Sequence, residues 1–418
     1  MKKKFTQKKM LKYSFILSCF LLAHSEVVAQ NIPDAPDKSM EIYGHVQLDA
    51  GYNFGQSDPN WFDVMRPTKL PGYKNEYGTN GNFFMSVRQT RFGVKTYTPT
   101  ALGELKTWFE FEMFGTGVDA GQTTFRLRHA YGELGKFGAG QTWSPFMDID
   151  VFPNTLEYWG PNGMVFFRNV QFRYMPIQGD TRLTFALERP GASADQGVYA
   201  SRVELQGVKS HFPVPDLSAE YRLGRKWGYV ELAGILRYIG WKDVVDTSKF
   251  DLNGHAIGWG LNLSTNIKLG TSNTFRGQAV YGQGIQNYMN DAPVDVAIKT
   301  DPGNVNQPIK GVALPVLGLV GFLDHDWNEK WTTAIGFSYM NISNSNGQAA
   351  NSYKSGQYGI VNLLCKPVPQ MVAGIELQYG RRENYNDGWS YNAVKLQASF
   401  KYKFGHVFNR NPEAPKTF

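Results

Sequence analysis

The chain has 418 residues, of which 42% are hydrophobic and 14% aromatic, with a formal charge of +7. Six of its lysines and one acid, Glu26, lie before Gln30, so beyond that point the net charge is only +2 and a nucleic-acid partner gains no support. Cys365 is the one cysteine after the leader, which excludes an internal disulfide and a zinc cluster of cysteines.

Residues 1–29 read as a cleavable signal peptide. Lys2, Lys3, Lys4, Lys8, Lys9 and Lys12 form a basic start, Phe15–Ala23 a short apolar stretch, and Val27-Val28-Ala29 a small-residue cleavage site. No run of 18 apolar residues follows, so no membrane helix is expected. Residues 30–40 are polar and hold two prolines, as in a short periplasmic segment.

From there the pattern has period 2. The first predicted strand is Ile42–Phe54, with Val46, Leu48 and Tyr52 on one side and His45, Gln47 and Asp49 on the other. A polar loop of about 55–82 leads to strands at Phe83–Tyr97 and, around Leu105–Met113, to one with Phe109 and Phe111 outward and Glu110 and Glu112 inward. Further strands are expected near Thr124–Leu134, Phe137–Trp143, Val165–Met175, Leu183–Leu187, Leu217–Leu223, Val230–Tyr238, His255–Ile267 and Thr274–Tyr281. The last five are Val316–Phe322, Trp331–Tyr339, Gln357–Cys365, Ala373–Arg381 and Tyr391–Phe404. In Val394–Phe404 every even position is apolar and every odd one polar.

Repeated around so long a chain, this alternation defines an all-β fold, a transmembrane antiparallel β-barrel of about 16 strands spanning 41–408, apolar outside and polar inside. Two weakly patterned stretches, Val203–Lys209 and Val244–Phe250, would raise the count to 18. Residues 409–418 are left as a tail. The aromatic end that such barrels use for sorting is Phe404, Phe408 or Phe418, and Pro412 and Pro415 argue against a strand at the last of these.

Residues 144–164 break the pattern. They mix Phe146, Met147, Tyr158 and Trp159 with Asp148, Asp150 and Glu157. A loop this apolar needs burial, and the available place is inside the barrel after the fifth strand, where it constricts the lumen.

Several segments resemble bacterial trimeric porins: Arg88-Gln89-Thr90-Arg91-Phe92-Gly93-Val94, Leu102–Lys106 and Arg126–Tyr131. Gly138–Ser144, Phe152–Thr155, Trp159-Gly160-Pro161 and Gly380–Asn384 resemble the DcaP-like porins in particular. The resemblance covers nearly the whole chain after the leader. It implies a homotrimer of barrels in the outer membrane, an inward third loop, and small anionic solutes such as dicarboxylates. Residues 30–40 are too short for the N-terminal coiled coil that family members often carry.

A constriction focuses the field of a few fixed charges. Arg126 and Arg128 share one strand face, and turning them to lipid would cost roughly 2–4 kcal/mol each, so they point inward. Arg173 points inward beside Asn169 and Gln171. Arg88 and Arg91 are three apart, so a bulge or a rim position must re-aim one of them. The expected selectivity ladder is Arg88, Arg91, Arg126, Arg128 and Arg173, facing Asp148, Asp150 and Glu157 on the loop. The plainer alternative is that several of these arginines only neutralise Glu110, Glu112 and Glu133.

No cofactor or metal is called for. The glycines at 135, 138 and 140 lack the Gly-Lys-Ser/Thr of a phosphate loop, and no His-Glu-x-x-His pattern occurs. The expected function is passive diffusion favouring small anions. A structural or adhesion barrel with an occluded lumen is the alternative. A barrel hydrolase is disfavoured because no nucleophile-elbow serine is present.

Overall fold

The computed structural model describes residues 38–245 and 250–409. The first eight strands are β1 (Ser39–Asn53), β2 (Asn82–Ser86), β3 (Arg91–Thr100), β4 (Gly103–Phe114), β5 (Thr123–Leu134), β6 (Phe137–Trp143), β7 (Arg168–Ile177) and β8 (Arg182–Glu188). Next come β9 (Ala194–Asp195), β10 (Val208–His211), β11 (Asp216–Arg225), β12 (Gly228–Asp243), β13 (Gly254–Leu269), β14 (Asn273–Gln283), β15 (Val296–Thr300) and β16 (Ile309–Ala313). The chain finishes with β17 (Pro315–Asp326), β18 (Trp331–Ile342), β19 (Tyr353–Cys365), β20 (Met371–Asn384) and β21 (Ser390–Asn409).

These strands form a closed antiparallel barrel with sixteen positions. β1 zips onto β21 from Ser39 opposite Asn409 to Asn53 opposite Lys395, which closes the sheet on itself. β2 and β3 share one position, both pairing with β1, and β10 and β11 share another, both pairing with β12. The count expected from the sequence therefore stands. Val203–Gly207 is a 3-10 turn leading into β10, so this stretch extends an existing position and adds none. Part of Val244–Phe250 lies outside the described residues, as do the leader, residues 30–37 and the tail beyond Asn409. The barrel reaches past its expected limits, from Ser39 to Asn409.

The alternation holds because lipid and lumen make opposite demands on successive residues. Val46, Phe109, Phe172, Leu232 and Leu396 are exposed outward, while Gln47, Glu110, Gln171, Glu231 and Gln397 are buried inward. Connections at one end are short, as at Ala101–Leu102, Gly135–Lys136 and Lys226–Trp227; those at the other are long, as at 54–81, 144–167 and 284–314. That asymmetry matches tight periplasmic turns and long external loops. One long connection pairs β15 with β16 and, in parallel, with β9, a small sheet that the sequence pattern did not signal.

The inner wall differs from the uniformly polar lining expected. Ala233, Ile235, Val280, Val316, Met340 and Ile342 are buried inside β12, β14, β17 and β18. Against them pack Phe146 and Met147 of the 144–167 loop and Ile285, Tyr288 and Met289 of the 284–314 loop. A second cluster joins Met65 and Leu70 of the first long loop to Val151, Met164, Phe322 and Tyr358. The barrel thus carries a hydrophobic core on one side of its lumen. Each fully buried side chain such as Phe146 or Val151 contributes about 1.5–3 kcal/mol to holding the loops inside.

Candidate functional site

The inward loop is pinned near its start and at its middle by the buried carboxylates of Asp148 and Glu376. Near its start, the Asp148 carboxylate accepts from Arg222 at 2.6 Å, Tyr229 at 2.7 Å and Ser264 at 2.7 Å, and Asp150 accepts from Arg222 at 2.5 Å. Further along, Glu376 on β20 accepts from the Thr155 hydroxyl at 2.7 Å and the amides of Leu156 at 2.8 Å and Glu157 at 3.1 Å. Asn362 and Gln378 complete the shell of that carboxylate at 2.9 and 3.0 Å.

Glu157 turns back into its own loop. It accepts from the amides of Met65 and Gly160 at 3.0 and 2.5 Å and from the Tyr358 hydroxyl at 3.3 Å. Burial pushes its carboxyl up, against the pull of Lys395 and of these amides. The first long loop buttresses the arrangement. Arg66 lies between the Trp61 and Trp159 rings, 4.1 and 3.9 Å from their centroids, and pairs with Asp291 at 2.9 Å.

Opposite this apolar packing lies a cavity of about 480 Å³ between the loop and the wall of β3, β5, β7 and β21. Ile149, Phe152, Asn154 and Tyr158 line its loop side, and Arg91, Arg126, Arg128, Arg168 and Lys401 line its wall side. Behind them stand Glu110 and Glu112. Arg128 is buried between the two, at 2.5 Å from Glu110 and 2.7 Å from Glu112, and Arg91 reaches Glu112 at 3.1 Å. Arg126 sits farther from Glu112, at 3.7 Å. Tyr158 bridges from the loop to Glu112 through its hydroxyl.

Arg168 and Lys401 differ from the three wall arginines. Among the described residues neither has a carboxylate within salt-bridge distance, and Nη1 of Arg168 is buried with no hydrogen-bond partner. Five cations therefore face this space over two wall carboxylates and Glu157 of the loop, which lines the cavity as expected, and the excess is positive.

The structure rearranges the expected ladder. Arg91, Arg126 and Arg128 are brought together at the cavity. Arg88 is not among them. The chain breaks between β2 and β3 with a turn from Val87 to Thr90, and Arg88 is buried against Asp63 at 2.7 Å and the Gly115 carbonyl at 3.0 Å. That break is what re-aims one of two arginines three apart. Arg173 points inward but binds the Trp143 carbonyl at 2.5 Å and Gln171 at 2.8 Å, away from the cavity. Asp148 and Asp150 do not face the ladder; they bind Arg222 across the lumen.

Two residues were missed. Lys401 was visible on the polar face of the last strand. Arg168 was hidden, because its even number places it on the outward face of the expected Val165–Met175 strand. The strand starts only at Arg168, so parity with Phe172 and Tyr174 does not govern a side chain at the loop exit.

A closed barrel with polar inward positions, an inward loop and a charged cavity beside it defines an outer-membrane channel of the porin type. The chain belongs to the DcaP outer membrane protein family, whose model matches residues 19–402. It is similar in structure to the outer membrane channel DcaP of Acinetobacter baumannii, with a TM-score of 0.72 at 19% identity over 88% of this chain and 98% of that one. An anion-selective porin from Comamonas acidovorans matches at a TM-score of 0.56 and 10% identity, over 88% of this chain and 100% of that one. OmpT of Vibrio cholerae matches at 0.54 and 11%, over 90% and 100%. At these identities the likeness concerns the fold. No curated protein matches the chain. The protein is a channel of the bacterial outer membrane.

Proposed function

We propose that the channel passes small anions, dicarboxylates among them, by diffusion through the passage beside the inward loop. The observation that carries this reading is the pair of cations without carboxylate partners, Arg168 and Lys401, set among Arg91, Arg126 and Arg128. In a low-dielectric passage such charges concentrate anions, and a guanidinium grips a carboxylate with two hydrogen bonds. The Glu110 and Glu112 carboxylates hold the wall arginines in place without cancelling the excess. We further propose that residues 1–29 are removed on export and that the barrel assembles as a homotrimer, its broad apolar outer face serving lipid and neighbouring barrels alike.

The dense packing of three loops inside the lumen favours a second reading, a structural barrel closed at rest. Swelling of proteoliposomes in succinate and in erythritol separates the two. Succinate entry several-fold faster than entry of the neutral solute is expected. Equal rates would remove the electrostatic reading, and no swelling in either would favour the closed barrel.

A further inference from the structure

We propose that Lys209 and Lys242 form an outward-facing docking site for the phosphate of a phosphorylated glycolipid in the outer leaflet. The two lysines are direct partners across the β10–β12 pair, and both are exposed. Like charges directly opposite on one sheet face repel, so the barrel alone gains nothing from this arrangement. Among the described residues neither has a carboxylate within salt-bridge distance, although seventeen arginine–acid pairs and three lysine–acid pairs occur elsewhere. The nearest acid on the strand, Asp243, belongs to the opposite face and accepts from the Val245 amide at 3.0 Å.

Their depth points to a lipid. β12 presents Val230, Leu232 and Leu236 outward at 38%, 52% and 51% exposure, ending in Tyr238. From Trp227 in the short turn to Tyr238 a tilted strand climbs roughly 28 Å, close to the height of the apolar band of such barrels. The two aromatics thus mark the band's edges. Lys242 lies two further repeats of the pleat above Tyr238, about 10 Å higher, at the level of headgroup phosphates.

The surface around the pair is shaped as well as charged. His255 stacks on Tyr238 with ring centroids 5.0 Å apart, and His211 is the cross-strand partner of Gly240. A side chain at Gly240 would meet the Tyr238 ring at 2.8 Å, so glycine there keeps the ring flat on the sheet.

The test is native mass spectrometry of the full chain titrated with bisphosphorylated lipid A, with the same lipid dephosphorylated, and with inorganic phosphate. The phosphorylated lipid should be retained, and Lys209→Gln with Lys242→Gln should weaken retention roughly 30-fold. The double arginine variant should restore it. Single-channel conductance should be unchanged in both variants, since neither lysine touches the passage. Equal retention of the dephosphorylated lipid, unchanged binding by the glutamine pair, or occupancy of the site by inorganic phosphate alone would overturn the proposal.

Discussion

Replacing Arg168 and Lys401 together with glutamate reverses the ion preference of the channel. The change moves four charges at the cavity wall, and no existing carboxylate partner is left stranded by it. At an effective dielectric constant of about 20, a unit charge 7 Å from a permeating ion acts with roughly 2 kcal/mol, more than a tenfold change in occupancy. The wall arginines cannot compensate fully, because Arg128 and Arg91 are already bound to Glu110 and Glu112. The reversal potential of the double variant in a KCl gradient should have the sign of cation preference. An unchanged sign would place the filter on Arg91, Arg126 and Arg128 alone. Resistance to unfolding in detergent at elevated temperature checks that the barrel still forms.

Glu376→Ala should release the middle of the inward loop. The Glu376 carboxylate is the shared acceptor for the Thr155 hydroxyl and the Leu156 and Glu157 amides, and it is buried. Removing it leaves the Thr155 hydroxyl and the Leu156 amide without that acceptor in a site closed to water, at about 1–3 kcal/mol each, while the Glu157 amide keeps the Thr155 oxygen at 3.1 Å. The loop's first arm stays pinned through Asp148 and Arg222, so the movement concentrates at Asn154–Tyr158. Tyr158 lies in that stretch and touches Glu112, so the passage itself changes. Larger and noisier single-channel conductance is expected, with a lower unfolding temperature, and Glu376→Gln should show a milder version of both. Wild-type conductance and stability in the alanine variant would mean that apolar packing alone seats the loop.

Much of this architecture was legible because a lipid-facing barrel leaves its sequence little freedom. Phe109 and Phe111 must alternate with Glu110 and Glu112 once one face meets hydrocarbon, and the same rule located all sixteen barrel positions. The loop at 144–164 announced its burial through Phe146, Met147 and Trp159, which no external loop would carry. What stayed hidden depends on partners far apart in the chain. Ile235 and Val280 are tolerated on the inward face because the cluster that Phe146 and Ile285 join covers them, and an apolar residue on a polar face carries no mark of its cover.

The site was partly legible for the same reason. Arg126 and Arg128 were assigned inward by the cost of placing guanidinium groups in lipid, and they do meet Arg91 at one cavity. Nothing in the local pattern could tell that Asp148 would reach Arg222, 74 residues away, and not the nearer arginines. Arg88 left the ladder through a break in its strand, a backbone event that the side-chain alternation does not encode.

The central claim is that the passage beside the inward loop holds a positive excess and favours anions. The most direct measurement is the reversal potential of the purified wild-type barrel in a planar bilayer across a KCl gradient. The expected sign is that of Cl⁻ preference, weakening as ionic strength rises and screens the wall charges. A reversal potential with the sign of K⁺ preference would contradict it.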